Sequence, residues 1–232
     1  MDNFTSTYGR TVASSTPETR ASFIRKTYIH LAGAILAFAA LEFVFFTTPI
    51  AGTLMGLMSG SWFIVIALFI GASLLANWWA NNTASKPMQY LGLALYVFIE
   101  AVIFIPLLAI AMYTSGDLSL IGKAGIVTLG LFAGLTATVF VTKTDFSFLG
   151  PILMIGGFVA LGVIVASMIF GFNLGSIFAF IMVAFAGSAI LYDTSNVMRR
   201  YHESQYVAAS LALFASVALL FWYILSIFSR RD

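Results

Sequence analysis

Residues 148–170 read FLGPILMIGGFVALGVIVASMIF, an apolar run without one charged side chain. About 20 such residues suffice for a helix to cross the hydrocarbon of a bilayer. Lipid offers no partner to a bare backbone amide, so a run that enters it is forced into a helix. The same pattern recurs on both sides, at 27–47, 61–79, 88–114, 123–142, 174–194 and 205–228. The sequence therefore predicts an all-α integral membrane protein with seven transmembrane helices. Pro106 falls inside the third stretch and predicts a kink there, its freed carbonyl satisfied by neighbouring helices.

Composition agrees. Of 232 residues, 61% are hydrophobic and 9% charged, where a soluble domain carries roughly 25% charge. So few charges do not cover a surface in water, and the lipid bilayer is the first expected partner. Seven spans leave no room for a separate catalytic module, and an enzyme is not expected. The absence of cysteine excludes disulfides, thiolate metal sites and cysteine nucleophiles. A net charge of +2 gives no argument for nucleic acid. Residues 1–25 are polar and aperiodic and read as a disordered cytoplasmic tail, with 26–232 as the seven-helix domain. Within the tail, Thr16-Pro17-Glu18-Thr19 has the composition of a helix start. The first apolar run is long enough to span and stay, so the N-terminus does not read as a secretory signal.

Lys and Arg set the orientation. With the N-terminus inside, Arg10, Arg20, Arg25, Lys26, Lys86, Lys143, Arg199 and Arg200 are cytoplasmic, and Lys123, Arg230 and Arg231 are outside. Eight against three favours N-inside. Seven spans then place the C-terminus outside, unless the last stretch is re-entrant; its length favours crossing. Trp62, Trp78, Trp79, Tyr90 and Tyr113 near span ends read as an interfacial aromatic belt. Gly130, Gly134 and Thr138, and likewise Gly52, Gly56 and Gly60, recur at spacing four and read as faces for close helix packing.

Three carboxylates lie within or at the ends of the apolar stretches: Glu42, Glu100 and Asp193. An acid at a helix centre costs roughly 2.5–3.5 kcal/mol on insertion scales. Each must face the interior, water or a partner, or be neutral. Glu42 reads as a snorkelling or hydrogen-bonded side chain near the outer interface. Glu100, six residues before Pro106, is the deepest, and reads either as a proton or cation site or as a buried acid bonded to another helix. Asp193 closes the sixth stretch in Tyr192-Asp193-Thr194-Ser195, and by position reads as an interfacial carboxylate paired with Arg199 or Arg200. A retinal protein needs a lysine in the last span, and 205–228 has none. An intramembrane serine protease needs a His or Lys near its serine within the bilayer; His30 is at a span edge and His202 in a loop. Two distant histidines give no metal-ligand spacing.

The run Tyr192-Asp193-Thr194-Ser195, a short charged loop, and Tyr206-Val207-Ala208-Ala209 opening an apolar helix together resemble the Bax inhibitor-1 family. The entry Phe23-Ile24-Arg25-Lys26-Thr27-Tyr28 into the first span is similar to that of bacterial members. The resemblance implies six helices around a central seventh. It also implies a pH-sensitive calcium leak, in which an aspartate ending the sixth helix pairs with one in the seventh near the cytoplasmic mouth. Two such carboxylates share a proton and form a pH switch. Asp193 matches the first. The second position is Ser216, which does not titrate, and the second stretch lacks the arginine of leak-channel members. These departures resemble the bacterial YccA-like branch, which is associated with restraining a membrane-bound ATP-dependent protease.

Two functions are therefore expected. The first is a calcium or cation leak pathway involving Asp193, Glu100 and Ser216, with at most weak or transient Ca2+ and no resident cofactor or metal. The second is a non-conducting modulator of such a protease, engaged through the N-terminal tail. A proton-coupled carrier built on Glu100 and Pro106 is a third. The resemblance and the lack of a targeting peptide favour a bacterial inner membrane, with calcium or protons as partners.

Overall fold

The computed structural model describes residues 11–60 and 62–230, with only the backbone of Trp62. Residues 1–10 of the expected tail (Arg10 among them), Ser61, the Trp62 side chain and Arg231 lie outside the described residues.

Among the described residues, eight α-helices follow a short 3-10 turn at Val12–Ser14. They are α1 (Pro17–Thr47), α2 (Ile50–Met58), α3 (Trp62–Ala80), α4 (Lys86–Ser115), α5 (Ser119–Thr142), α6 (Leu149–Phe170), α7 (Gly175–Arg199) and α8 (Tyr206–Ser229). Seven are long and apolar enough to cross a bilayer. The protein is a multi-pass integral membrane protein. The exception, α2, is nine residues long, about 13 Å at 1.5 Å per residue, too short to cross. It fills the connection between the first two spans, where no element was expected.

Six of the spans start and end within a few residues of the apolar stretches; α1 does not. It begins at Pro17, inside the expected tail. Thr16 caps it, its hydroxyl accepting from the Thr19 amide at 3.3 Å, and Pro17 at the first helical position loses no hydrogen bond. Residues 11–25 are therefore folded rather than a disordered tail. α8 runs unbroken for 24 residues, about 36 Å, long enough to cross. α4 remains helical through Pro106. α6 is the least buried span, a charge-free helix whose Ile152, Met154, Ile155, Phe158 and Val159 are exposed, which only lipid or another apolar surface tolerates. The deepest burial is in α8, at 56%, with α4 at 50%. The burial implied for a central last helix is thus shared with α4.

The chain forms two compact units. The first contains residues up to 105 together with 196–214. Its core is aromatic: Phe38 meets Phe104 edge-on at 5.1 Å and Phe214 at 6.1 Å, and Tyr96 meets Phe214 at 6.2 Å. Phe45, Ala51, Ala101 and Ile105 extend it between α1, α2 and α4. α4 touches α3 backbone to backbone at Gly92, where an added Cβ would stand 2.5 Å from both Ala76 O and Ala80 N. The N-terminal segment lies on the α7–α8 loop. Val12 N donates to Tyr201 O at 2.9 Å, Phe23 stacks on Tyr201 at 6.4 Å, and Ser15 donates to Glu203 at 2.5 Å.

The second unit contains residues 106–195 and 215 onward. Ala160, Ala179, Met182 and Tyr223 form its core, with Phe178 edge-on to Tyr223 at 6.0 Å. The close approaches here are Gly156 under the Phe185 ring and Gly187 against Leu135. The spaced glycines expected to pack do not. Nothing lies within 4 Å of a Cβ built on Gly130, Gly134, Gly52 or Gly56. The packed face of α5 carries Ala124, Thr128 and Val139 instead, so its glycine stripe is on the open side.

Candidate functional site

The site is built on the last turns of α7. This helix continues past residue 194, where its apolar stretch ends, to Arg199. Asp193 and Ser195 are therefore both helical. Two residues on a helix are about 200° apart, so the two side chains leave α7 on opposite sides. Asp193, half-buried, accepts a hydrogen bond at Oδ2 from Ser216 Oγ of α8, at 2.6 Å. Ser195, fully buried, donates to Asp145 Oδ1 at 3.3 Å and accepts from the Phe146 amide at 3.1 Å. Asp145 Oδ1 also accepts from Ser147 N at 3.0 Å, which shapes the loop entering α6. Below it, Tyr192 lies over Gly150, where a Cβ would be 3.0 Å from the ring. The end of α7 is thus tied to α8 through Asp193 and to the α5–α6 loop through Ser195.

Of the expected site residues, the structure brings Asp193 and Ser216 together. The partner at Asp193 Oδ2 is a hydroxyl, where position in the sequence pointed to Arg199 or Arg200. Arg199 ends α7, and Arg200 follows it, exposed, its amide bonded to Asn196 O at 2.8 Å. Glu42 and Glu100 belong to the first unit. Glu100 is buried and takes a hydrogen bond from Tyr96 one turn earlier on α4, so its partner is on its own helix. Glu42 is 8% exposed, and neither carboxyl oxygen has a hydrogen-bond partner among the described residues. It does not snorkel. Asp145 was missed: it lies between apolar stretches, and its only signal is the Asp-Phe-Ser spacing of an Asx turn before a helix.

Asp193 Oδ1 carries no hydrogen bond among the described residues, because the hydroxyl engages only Oδ2. No three His, Asp or Glu side chains gather as a metal cage among the described residues.

Fold and site together define a seven-span helical membrane protein with an acid–hydroxyl pair joining its last two spans. The chain belongs to the Bax inhibitor-1 family: the family model described as inhibitor of apoptosis-promoting Bax1 matches residues 20–232. Among its relatives is Bax inhibitor 1 of Schizosaccharomyces pombe, 29% identical over 93% of this chain and 79% of that one. Protein LIFEGUARD 4 of Arabidopsis thaliana is 33% identical over 93% and 87%. An uncharacterised protein of Pseudomonas aeruginosa is 35% identical over 47% of this chain and 50% of its own.

Proposed function

We propose that this protein is a calcium or cation leak pathway in which Asp193 meets the ion and Ser216 holds Asp193 in place. The supporting observation is the 2.6 Å hydrogen bond from Ser216 to Asp193 Oδ2. It orients one carboxyl oxygen against α8 and leaves the other for a passing cation. Calcium takes six to eight oxygen ligands, and one carboxylate with neighbouring hydroxyls supplies few. Binding is then weak and brief, as conduction requires, because an ion must leave as readily as it enters. Leak-channel members of the family gate through two aspartates sharing a proton. Ser216 is not titratable, so this pathway lacks that gate.

The proposal includes no enzymatic step and no resident cofactor. It takes the membrane to be a bacterial inner membrane, on the resemblance to bacterial members, with the N-terminus inside, on the Lys/Arg bias of the loops. Calcium flux into dye-loaded liposomes tests it: the wild-type protein conducts and Asp193→Ala changes the rate. A second reading, a non-conducting modulator of a membrane-bound ATP-dependent protease, is favoured by the serine at 216. It predicts no flux, co-purification with the protease and slower turnover of the protease's substrates.

A further inference from the structure

The first unit holds a second cluster of polar groups, apart from the acids discussed above. At its centre is the Tyr206 ring, at the start of α8. Lys86 Nζ lies 4.2 Å and Lys26 Nζ 5.4 Å from the ring centroid. The ring is held in place by its hydroxyl, which is 3.3 Å from the Tyr90 hydroxyl, itself 3.1 Å from His30 Nε2. The order of this chain follows from His30 Nδ1, 2.7 Å from the Lys26 carbonyl. A carbonyl only accepts, so Nδ1 carries the proton and, in the neutral ring, Nε2 accepts from Tyr90.

The two lysines are under-used. An ammonium has three donors. Lys86 donates to Gln89 Oε1 at 3.1 Å and to the Ser204 carbonyl, which leaves one. Lys26 makes no hydrogen bond among the described residues, and neither lysine forms an ion pair there. Glu18 and Glu203 line the cleft beside Lys26, and Glu203 accepts from Ser15. Two like charges, held within about 10 Å of each other by one ring, repel unless an anion lies between them. Lys26 and Lys86 each stand just before an apolar stretch, and Ile29, Leu36 and Phe43 on α1, and Leu91 and Phe98 on α4, are exposed and repeat at intervals of seven. Two ammonium groups without an anion, at the polar ends of helices with exposed apolar surface, fit one class of ligand.

We propose that Lys26 and Lys86, which share the Tyr206 ring, bind the phosphate of an anionic phospholipid headgroup, with the acyl chains on the exposed apolar surface of α1 and α4. Basic pockets at helix ends recognise such headgroups by charge.

The test uses the full-length protein, offered equal amounts of phosphatidylglycerol and phosphatidylcholine, with retained lipid read by native mass spectrometry. The wild type retains phosphatidylglycerol preferentially. Lys26→Gln and Lys86→Gln each lower that preference about fivefold, while Lys123→Gln, an exposed cation elsewhere, leaves it unchanged. Lys26 is exposed, so its variant folds even if Lys86→Gln does not. Equal retention of both lipids by the wild type overturns the proposal, as does an equal loss in Lys123→Gln. Displacement of the lipid by millimolar inorganic phosphate overturns the lipid assignment in favour of a soluble phosphate.

Discussion

The Ser216 hydroxyl lies 2.6 Å from Asp193 Oδ2 and joins α8 to the end of α7. Removing the donor leaves a half-buried acid without its partner, which costs about 1–3 kcal/mol. Ser216→Ala is therefore expected to unfold at a lower temperature than the wild type in the same detergent. Ser216→Thr, which keeps the hydroxyl, is expected to recover most of the loss. Equal melting of wild type and Ser216→Ala would show that the bond contributes nothing.

Ser216→Asp creates the acid pair that the chain lacks. Two carboxylates at this distance share one proton. Below the pH at which that proton leaves, the pair holds α7 and α8 together. Above it, two negative charges face each other and the contact weakens. The stability of the variant is expected to fall with rising pH relative to the wild type, and its ion flux to gain a pH dependence. Parallel pH profiles of the two proteins would contradict this.

The glycines separate two kinds of position. Gly92→Ala puts a methyl group 2.5 Å from the backbone of Ala76 and Ala80, and backbone does not yield as a side chain does. A loss of about 1–3 kcal/mol is expected. Gly130→Ala and Gly134→Ala meet open space and are expected to gain roughly 0.5–1 kcal/mol each from helix propensity. Thermal melts of the three variants check the contrast.

That contrast also marks how far the sequence was legible. Span number and most helix ends are visible in it, because lipid forces every apolar run into a helix whatever its neighbours. Which face of a helix packs is not visible. In an apolar span both faces look alike, and the regular Gly130–Gly134 spacing faces outward while the isolated Gly92 makes the contact. The same limit applied to the site. Asp193 lies in the Tyr192–Ser195 run that carries the family resemblance, and Ser216 was reached only through what that resemblance implies. The Ser195–Asp145 bond joins residues 50 apart across two helices, and no local pattern encodes it. The early start of α1 was written in Thr16-Pro17, but the polar composition around it obscured the signal.

Asp117, in the loop before α5, accepts the Ser119 amide at 2.7 Å. The hydrogen bonds from Ser119 hold its carboxyl below the ordinary aspartate value of 3.8. A group held low favours the fold above its ordinary value, and this contribution is lost as pH falls through the lower, folded value. The first turn of α5 is therefore expected to loosen below pH 3.8 in the wild type. Asp117→Asn is expected to lack this step. Amide exchange of residues 119–123, compared between the two proteins at each pH, measures it.

The central claim is that cations pass by way of Asp193. Calcium entry into dye-loaded liposomes measures this directly, with wild type, Asp193→Ala and Ser216→Ala reconstituted at equal density. The account predicts flux above that of empty liposomes in the wild type, a changed rate in Asp193→Ala, and an altered rate in Ser216→Ala, whose carboxyl has lost its positioning bond. Wild-type flux no greater than that of empty liposomes, or the same flux in Asp193→Ala, would contradict it.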